Sequence, residues 1–394
     1  MALIAHLADL HLGYSHLTAR APDGRNQRMV DFERAALAVA DRVISERPDA
    51  AVVAGDLLHE TQLYPAALSG AAQFCRRFAQ AGIPLIAIGG NHDEAESEGR
   101  YNALRYLAEQ HGLELHLAQG ARDVAGVRLH LVSFRVLSRA QAGRGEIRPF
   151  EFATEMPNVL VAHGYAPGEG VPEVPAEREV RIPEEWLTDP RFACVMLGHI
   201  HHHTRLREDP PVFYAGSTER RNFGEAAERP GFWLHRFDSQ RLVESRAVYV
   251  DELGVEGLPR PMIDVQIDSK DLTFDELDAR VRELIAEQPE GAMLRVVLDN
   301  VSEEVDRQKA RASWERAFRE RGGLSFEAVP RTRTITELLD VKFEQPPLDI
   351  GKGLLEYVAA QTQELPKEEA AEIREIAAAI VSEAQEAVLE QEEP

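Results

Sequence analysis

The sequence predicts a layered α/β body, a small α/β domain after it, and a helical tail. Three observations carry this. Over roughly the first 250 residues, short apolar runs alternate with stretches of helical periodicity. After a Gly- and Pro-rich stretch at 251–261 the rhythm changes to strand–helix–strand–helix–strand. Beyond Gln345-Pro346-Pro347 an amphipathic, Glu-rich segment remains. The expected domains are therefore 1–255, 256–340 and 341–394.

Taken in order, the strands of the body are Leu3–Ala8, Ala50–Ala54, Pro84–Ile88, Val127–Phe134, Val159–Ala162, Cys194–Leu197, Val212–Tyr214 and Phe232–Phe237, each short and apolar. Its helices are Asp31–Glu46, with Ala36, Val39, Ala40 and Val43 on one face, then Pro65–Gln80 and Arg100–Gln110. Ala166–Glu185 reads as a long surface loop. The second domain runs strand Met262–Asp268, helix Phe274–Gln288, strand Ala292–Leu298, helix Ser302–Arg321, strand Leu324–Pro330. The tail helix starts near Pro366 and repeats Ile373, Ile376, Ile380, Ala384 and Val388 on one face. That stripe docks on its own body or on a partner helix, and the partner is the expectation. In the body, Ala67, Leu68, Ala71 and Phe74 form another apolar stripe, free for a two-fold partner or packed internally.

The 394 residues are 44% apolar and 28% charged, which excludes collagen-like, mucin-like and wholly disordered chains. Acidic residues outnumber basic ones 67 to 44, a net charge of −23. That balance does not suit a nonspecific DNA coat, but a small cationic site can sit on an acidic body. The stretch Val341–Pro394 holds 13 acidic and 4 basic residues. Two distant cysteines, Cys75 and Cys194, read as reduced core thiols. Without an apolar leader or a run of about 18 apolar residues, the expected location is cytoplasmic, with no membrane.

Chemistry concentrates at five strand ends: Asp9-Leu10-His11, Gly55-Asp56 with His59, Gly90-Asn91-His92-Asp93, His163-Gly164, and Gly198-His199-Ile200-His201. Strand C-termini are where α/β proteins build sites. In Asp9-x-His11 and His199-x-His201 the period of two sends both side chains to one side of an extended segment. Mixed carboxylate, imidazole and amide ligands suit Mn²⁺, Fe²⁺ or Zn²⁺ better than Ca²⁺. So many candidate ligands or contacts are too many for one ion and suit two. Asp56, on a tight Gly-Asp turn, is the candidate bridge. His16, His111, His116, His130 and His235 read as ordinary core or surface histidines, and His6 as a packing residue.

Together the segments DLH, GDLLH, GNHD, VAHG and GHIH resemble the calcineurin-like metallophosphoesterase superfamily. Two stretches, His6–Gly13 and Tyr214–Arg220, are similar to its DNA-repair nuclease branch, which includes the nuclease subunit of the bacterial SbcCD complex. The resemblance covers about residues 1–250. It implies two central β-sheets flanked by helices, with the small domain as a DNA-contacting cap. It implies one metal held by Asp9, His11, Asp56 and His201, and a second by Asp56, Asn91, His163 and His199. His92 would face the scissile phosphate as proton donor or charge stabiliser, His59 would contact phosphate, and Asp93 would orient His92 or its neighbour. Branch members often place a proline soon after Gly-Asn-His-Asp; here Glu94-Ala95-Glu96-Ser97 follows.

The implied activity is Mn²⁺-dependent hydrolysis of DNA phosphodiesters in strand-break repair, as a 3′→5′ exonuclease and single-strand endonuclease. Implied partners are DNA, an SMC-like ATPase gripped by the tail, and a second copy of the chain. The alternatives are a phosphoesterase for a smaller substrate and an end-binding scaffold. Arg220, Arg221, Arg331 and Arg333 either contact DNA phosphates or are solvated.

Overall fold

In the computed structural model the first apolar run forms β1 (Ala2–Leu7), whose neighbours show how the layers are built. It pairs in parallel with β2 (Ala50–Val53), which continues through β3 (Leu85–Ile88) to β4 (Leu113–His116). The crossovers are α1 (Gln27–Glu46), α2 (Pro65–Ala81) and α3 (Ala103–His111). On its other edge β1 pairs antiparallel with β11 (Gly231–Phe237), which pairs with β12 (Leu242–Tyr249). A second six-stranded sheet runs β5 (Gly120–Val124), β6 (Val127–Val132), β7 (Asn158–His163), β8 (Phe192–Gly198), β10 (Pro211–Tyr214), β9 (Thr204–Glu208). The description covers residues 1–94, 102–168, 171, 174, 179–270, 272–300 and 307–331. They belong to one unit, Met1–Arg331; the tail at 341–394, with its expected helix and Arg333, lies outside the described residues.

Alternation along each strand assigns the layers. Ile4, Val52, Ile86 and Ile88 face Leu129, Leu131, Val159, Val161 and Met196 between the sheets. Ala5, Leu7, Ala51 and Val53 face outward onto α1, α2 and α3. Beyond the second sheet lie α4 (Phe134–Gln141) and α5 (Glu184–Leu187), sealed by Leu137, Trp186 and Leu187. The result is helix, sheet, sheet, helix, as the sequence predicts.

Some boundaries differ for physical reasons. The first helix starts at Gln27, because the Asn26 side chain accepts from the backbone N–H groups of Arg28 and Met29. The strand expected to reach Phe134 ends at Val132, and Phe134 opens α4 instead. Buried Glu94, directly after Gly-Asn-His-Asp, accepts from the Arg135 N–H at that helix start and so supplies a carboxylate cap from another loop. The loop at 166–185 is partly packed: Ala166, Val171 and Ile182 are buried, and across it the Tyr165 N–H donates to the Val180 carbonyl while the Ile182 N–H donates to the Tyr165 carbonyl. The stripe on α2 turns inward, with Ala67, Ala71 and Phe74 buried and Leu68 packed on the core.

The small domain is a parallel sheet of β13 (Met262–Asp268), β14 (Met293–Asp299) and β15 (Ser325–Arg331). Helices α6 (Phe274–Glu287) and α7 (Arg307–Glu320) cover one face. Phe223 from the body packs on Met262 and Met293 of the other. A buried charge cluster ties the junction. Asp31 accepts from Arg28 Nη1 (2.7 Å), Arg260 Nε (2.6 Å) and Gln27 (3.0 Å), while Glu219 accepts from the Arg260 N–H (2.9 Å). Arg260 also donates to the Gly291 carbonyl of the small domain at 2.7 Å.

Candidate metal centre

The five strand ends meet at one edge of the two sheets. Asp9 and His11 follow β1, Asp56 follows β2, and Asn91 and His92 follow β3. His163 ends β7, and His199 and His201 follow β8. Asp9, His11, Asp56 and His163 are buried, and Asn91 lies at the open side. Groups of acidic and imidazole donors that could hold a metal form around Asp9, His11 and His201, and around Asp9, Asp56 and His163. Asp56 Oδ2 sits between them, 3.8 Å from His11 Nε2 and 3.5 Å from His163 Nε2.

The histidine rings show what this arrangement is built to accept. His163 Nδ1 is 2.8 Å from the Ala54 carbonyl, which can only accept, so the proton is on Nδ1. Its Nε2 lone pair then faces Asp56 and the Asn91 side-chain oxygen, the latter at 2.9 Å. His199 hands Nε2 to Glu179 (2.8 Å) and turns Nδ1 to Asn91 Oδ1 (3.0 Å). His201 hands Nδ1 to Glu225 (3.0 Å) and turns Nε2 to His11 Nε2 (3.0 Å). In each ring an acceptor outside the cluster orients one nitrogen, and the other aims its lone pair at further acceptors. Acceptors facing acceptors need a cation between them, so the donor set fits divalent metal.

Electrostatics agree. Burial, reinforced by Asp56, pushes the Asp9 carboxyl up to about 7. Burial pulls His163 down to about 4, leaving the neutral ring that metal ligation requires. At His201 burial opposes charge, yet Glu225 and Asp9 carry its pKa upward, the opposite direction from His163.

Backbone strain marks the same residues. Asp9, His11, Asp56 and His199 all have positive φ, at 52°, 45°, 50° and 102°. Few non-glycine residues adopt this region, and the cost persists only where the surroundings enforce it. Two glycines make room. A Cβ on Gly55 (φ 92°) would collide with the His163 ring, and one on Gly90 with the Asp56 carboxylate and amide.

The remaining expected residues line the mouth. His92 donates Nδ1–H to the His59 carbonyl (3.1 Å), and its Nε2 accepts from Arg221 Nη1 (3.3 Å). His59 stacks on His92 at 4.9 Å, with the Tyr14 ring edge-on beside it. Burial, helped by His92 and Arg221, pulls His59 down to about 4. Asp93 acts on the turn rather than on the His92 ring: its carboxylate accepts from Leu58 N–H (3.1 Å) and Gly90 N–H (2.8 Å). His202 pairs with Glu228, and His203 stacks on Trp233, so the two histidines that follow His201 in the sequence point elsewhere.

Sequence reasoning missed Tyr14, Glu179, Arg221 as a neighbour of His92, and Glu225. Among these only Glu225 had a local signal, three residues after the helix-capping Asn222 that follows Arg221.

Residues 2–203 match the calcineurin-like phosphoesterase family. The chain is 32% identical over 273 residues to the DNA double-strand break repair protein Mre11 of Haloferax volcanii, covering 66% of this chain and 57% of that protein. Proteins of the same name from Methanopyrus kandleri (28% over 271 residues; 63% and 57%) and Archaeoglobus fulgidus (27% over 297 residues; 66% and 64%) are also similar. The chain thus spans somewhat under two thirds of the length of these relatives. With more than half of its residues matched and the motif side chains gathered at one sheet edge, the chain belongs to the calcineurin-like phosphoesterase family.

Proposed function

We propose that the chain is a metal-dependent nuclease of double-strand-break repair, hydrolysing DNA phosphodiesters at a pair of divalent ions. The inward-facing lone pairs of His163, His199 and His201 around Asp56 carry this reading. Asp9, His11, Asp56 and His201 would hold one ion, and Asp56, Asn91, His163 and His199 the other, with Mn²⁺ the expected metal. When bound, such a pair offsets phosphate charge and makes water a stronger nucleophile. The protein's own part is orientation. Ala54, Glu179 and Glu225 keep the three rings turned inward, and Asp93 braces the turn bearing Asn91 and His92. His92 Nε2 is the atom positioned to exchange a proton with the leaving oxygen, since Nδ1 is committed to the His59 carbonyl.

Relatives named for double-strand-break repair favour DNA as substrate, cleaved as a 3′→5′ exonuclease and single-strand endonuclease. The proposed partners are an SMC-like ATPase at the tail and a second copy of the chain. The α2 stripe gives the homodimer no support, because it is buried. A smaller phosphoester is the second reading. It is favoured by the net charge of −23 and by the cap arginines Arg295 and Arg331, which are ion-paired to Asp264 and Asp299.

Labelled DNA duplexes and hairpins with and without Mn²⁺, beside bis-p-nitrophenyl phosphate, separate these. Mn²⁺-dependent cleavage of DNA supports the nuclease; turnover of the small diester alone supports the second reading. Metal-loaded protein that cleaves neither overturns both.

A further inference from the structure

Most arginines around the mouth are committed. Arg28 is buried and bonded to Asp31 and the Arg220 carbonyl. Arg220 turns into the cap junction, donating to the Glu228 carbonyl (2.7 Å) and the Arg260 carbonyl (3.3 Å). Arg221 differs. Its backbone is clamped at both ends, with N–H donating to Glu225 Oε2 (2.8 Å) and C=O accepting from the Tyr14 hydroxyl (2.9 Å). Its side chain is about a quarter exposed. Its ion-pair partner, Glu225 Oε1, is 3.7 Å from Nε, beyond hydrogen-bond reach, and already serves His201. Among the described residues the guanidinium's hydrogen bond is to His92 Nε2 at 3.3 Å. Since a guanidinium has donors only, most of its fork remains to be satisfied.

We propose that Arg221 is a substrate contact: its guanidinium, fixed beside His92, takes non-bridging oxygens of the bound phosphate. The inference rests on the phosphoester reading of the centre. An exposed arginine on a rigid, twice-anchored backbone loses little freedom on binding, and its planar fork matches two phosphate oxygens. It also supplies local positive charge at the mouth of an otherwise acidic chain. Glu225 is the positioning residue, with one oxygen on the Arg221 amide and the other on His201, so metal ligand and phosphate contact are set from one carboxylate.

The test uses the full chain and the variants Arg221→Gln, Arg221→Lys and Arg229→Gln. Arg229 is a surface arginine paired with Asp251 and Glu252 and serves as the control. Three quantities are read: Mn²⁺ affinity by calorimetry, affinity of the Mn²⁺-loaded protein for inorganic phosphate, and kcat/KM on bis-p-nitrophenyl phosphate and DNA. Arg221→Gln should keep Mn²⁺ affinity within about 2-fold of wild type. It should weaken phosphate binding at least about 10-fold and lower kcat/KM about 10²-fold, with Lys recovering part of both and the control unchanged. Unchanged phosphate affinity in Arg221→Gln overturns the proposal, as does loss of Mn²⁺ binding, which would make Arg221 structural. Wild-type protein that binds phosphate through Arg221 but cleaves no DNA sustains the contact and sinks the nuclease reading alone.

Discussion

Replacing Asp31 by Asn tests how the small domain is held. Asp31 is fully buried, with Arg28, Arg260 and Gln27 on its carboxylate. With Glu219, the buried residues of the junction are two guanidinium groups, Arg28 and Arg260, and two carboxylates, so their charge balances, while Arg220 lies only partly buried beside them. Asp31→Asn keeps the shape and leaves one positive charge in excess. Breaking a buried pair by removing one partner costs about 3–5 kcal/mol. Unfolding entropy of about 2.1 cal/mol/K per residue, taken over the unit Met1–Arg331, is roughly 0.7 kcal/mol/K. The melting temperature should therefore fall by about 4–7 °C. Arg260→Met should cost a similar amount, leaving a negative excess. The double variant restores balance between Arg28 and Glu219, so it should melt within about 2 °C of either single variant rather than at their sum. Scanning calorimetry of the four proteins in one buffer reads this cycle. Additive losses would refute the idea that the cluster acts as a balanced unit.

Asp56→Asn should lower Mn²⁺ binding at both proposed positions, reducing the stoichiometry seen by elemental analysis from two ions per chain; a loss confined to one position would remove Asp56 as the bridge. His92→Gln should keep both ions and DNA binding at fixed salt while single-turnover cleavage falls about 10²–10⁴-fold; loss of an ion would make His92 a ligand. Deleting Pro366–Pro394 should leave the melting transition and small-diester turnover unchanged and abolish capture of an SMC-like ATPase; a collapse in thermal stability would place the tail in the core.

The strands legible in the sequence are the central ones. All four that were missed, β4, β5, β9 and β12, are the edges of the two large sheets. Edge strands are half solvated and carry mixed polar residues, as in Thr204–Glu208, so they lack the apolar run that betrays a central strand. Their pairing is dictated by the neighbouring strand. The site follows the same division. Asp9, Asp56, Asn91, His163 and His199 were legible because each sits directly beyond an apolar run, where sequence distance and spatial distance coincide. Glu179 and Glu225 were not, because each reaches its histidine from more than 19 positions away; the cap at Asn222 marks a helix start near Glu225 but not which histidine it meets. Asp93 was recognised as part of the turn, but its true partners, the amides of Leu58 and Gly90, depend on how two loops meet.

The left-handed backbones of Asp9, His11, Asp56 and His199 make folding and function compete at four named positions. Glycine there would relax the chain by about 1 kcal/mol per position and erase the donor atoms. A library of this protein screened only for soluble, heat-resistant folding would therefore drift toward glycine and asparagine at 9, 11, 56 and 199, and its best survivors would bind no metal. Consensus or computational stabilisation that scores folding alone inherits the same bias, so the four positions have to be held constant before any thermostable version is sought.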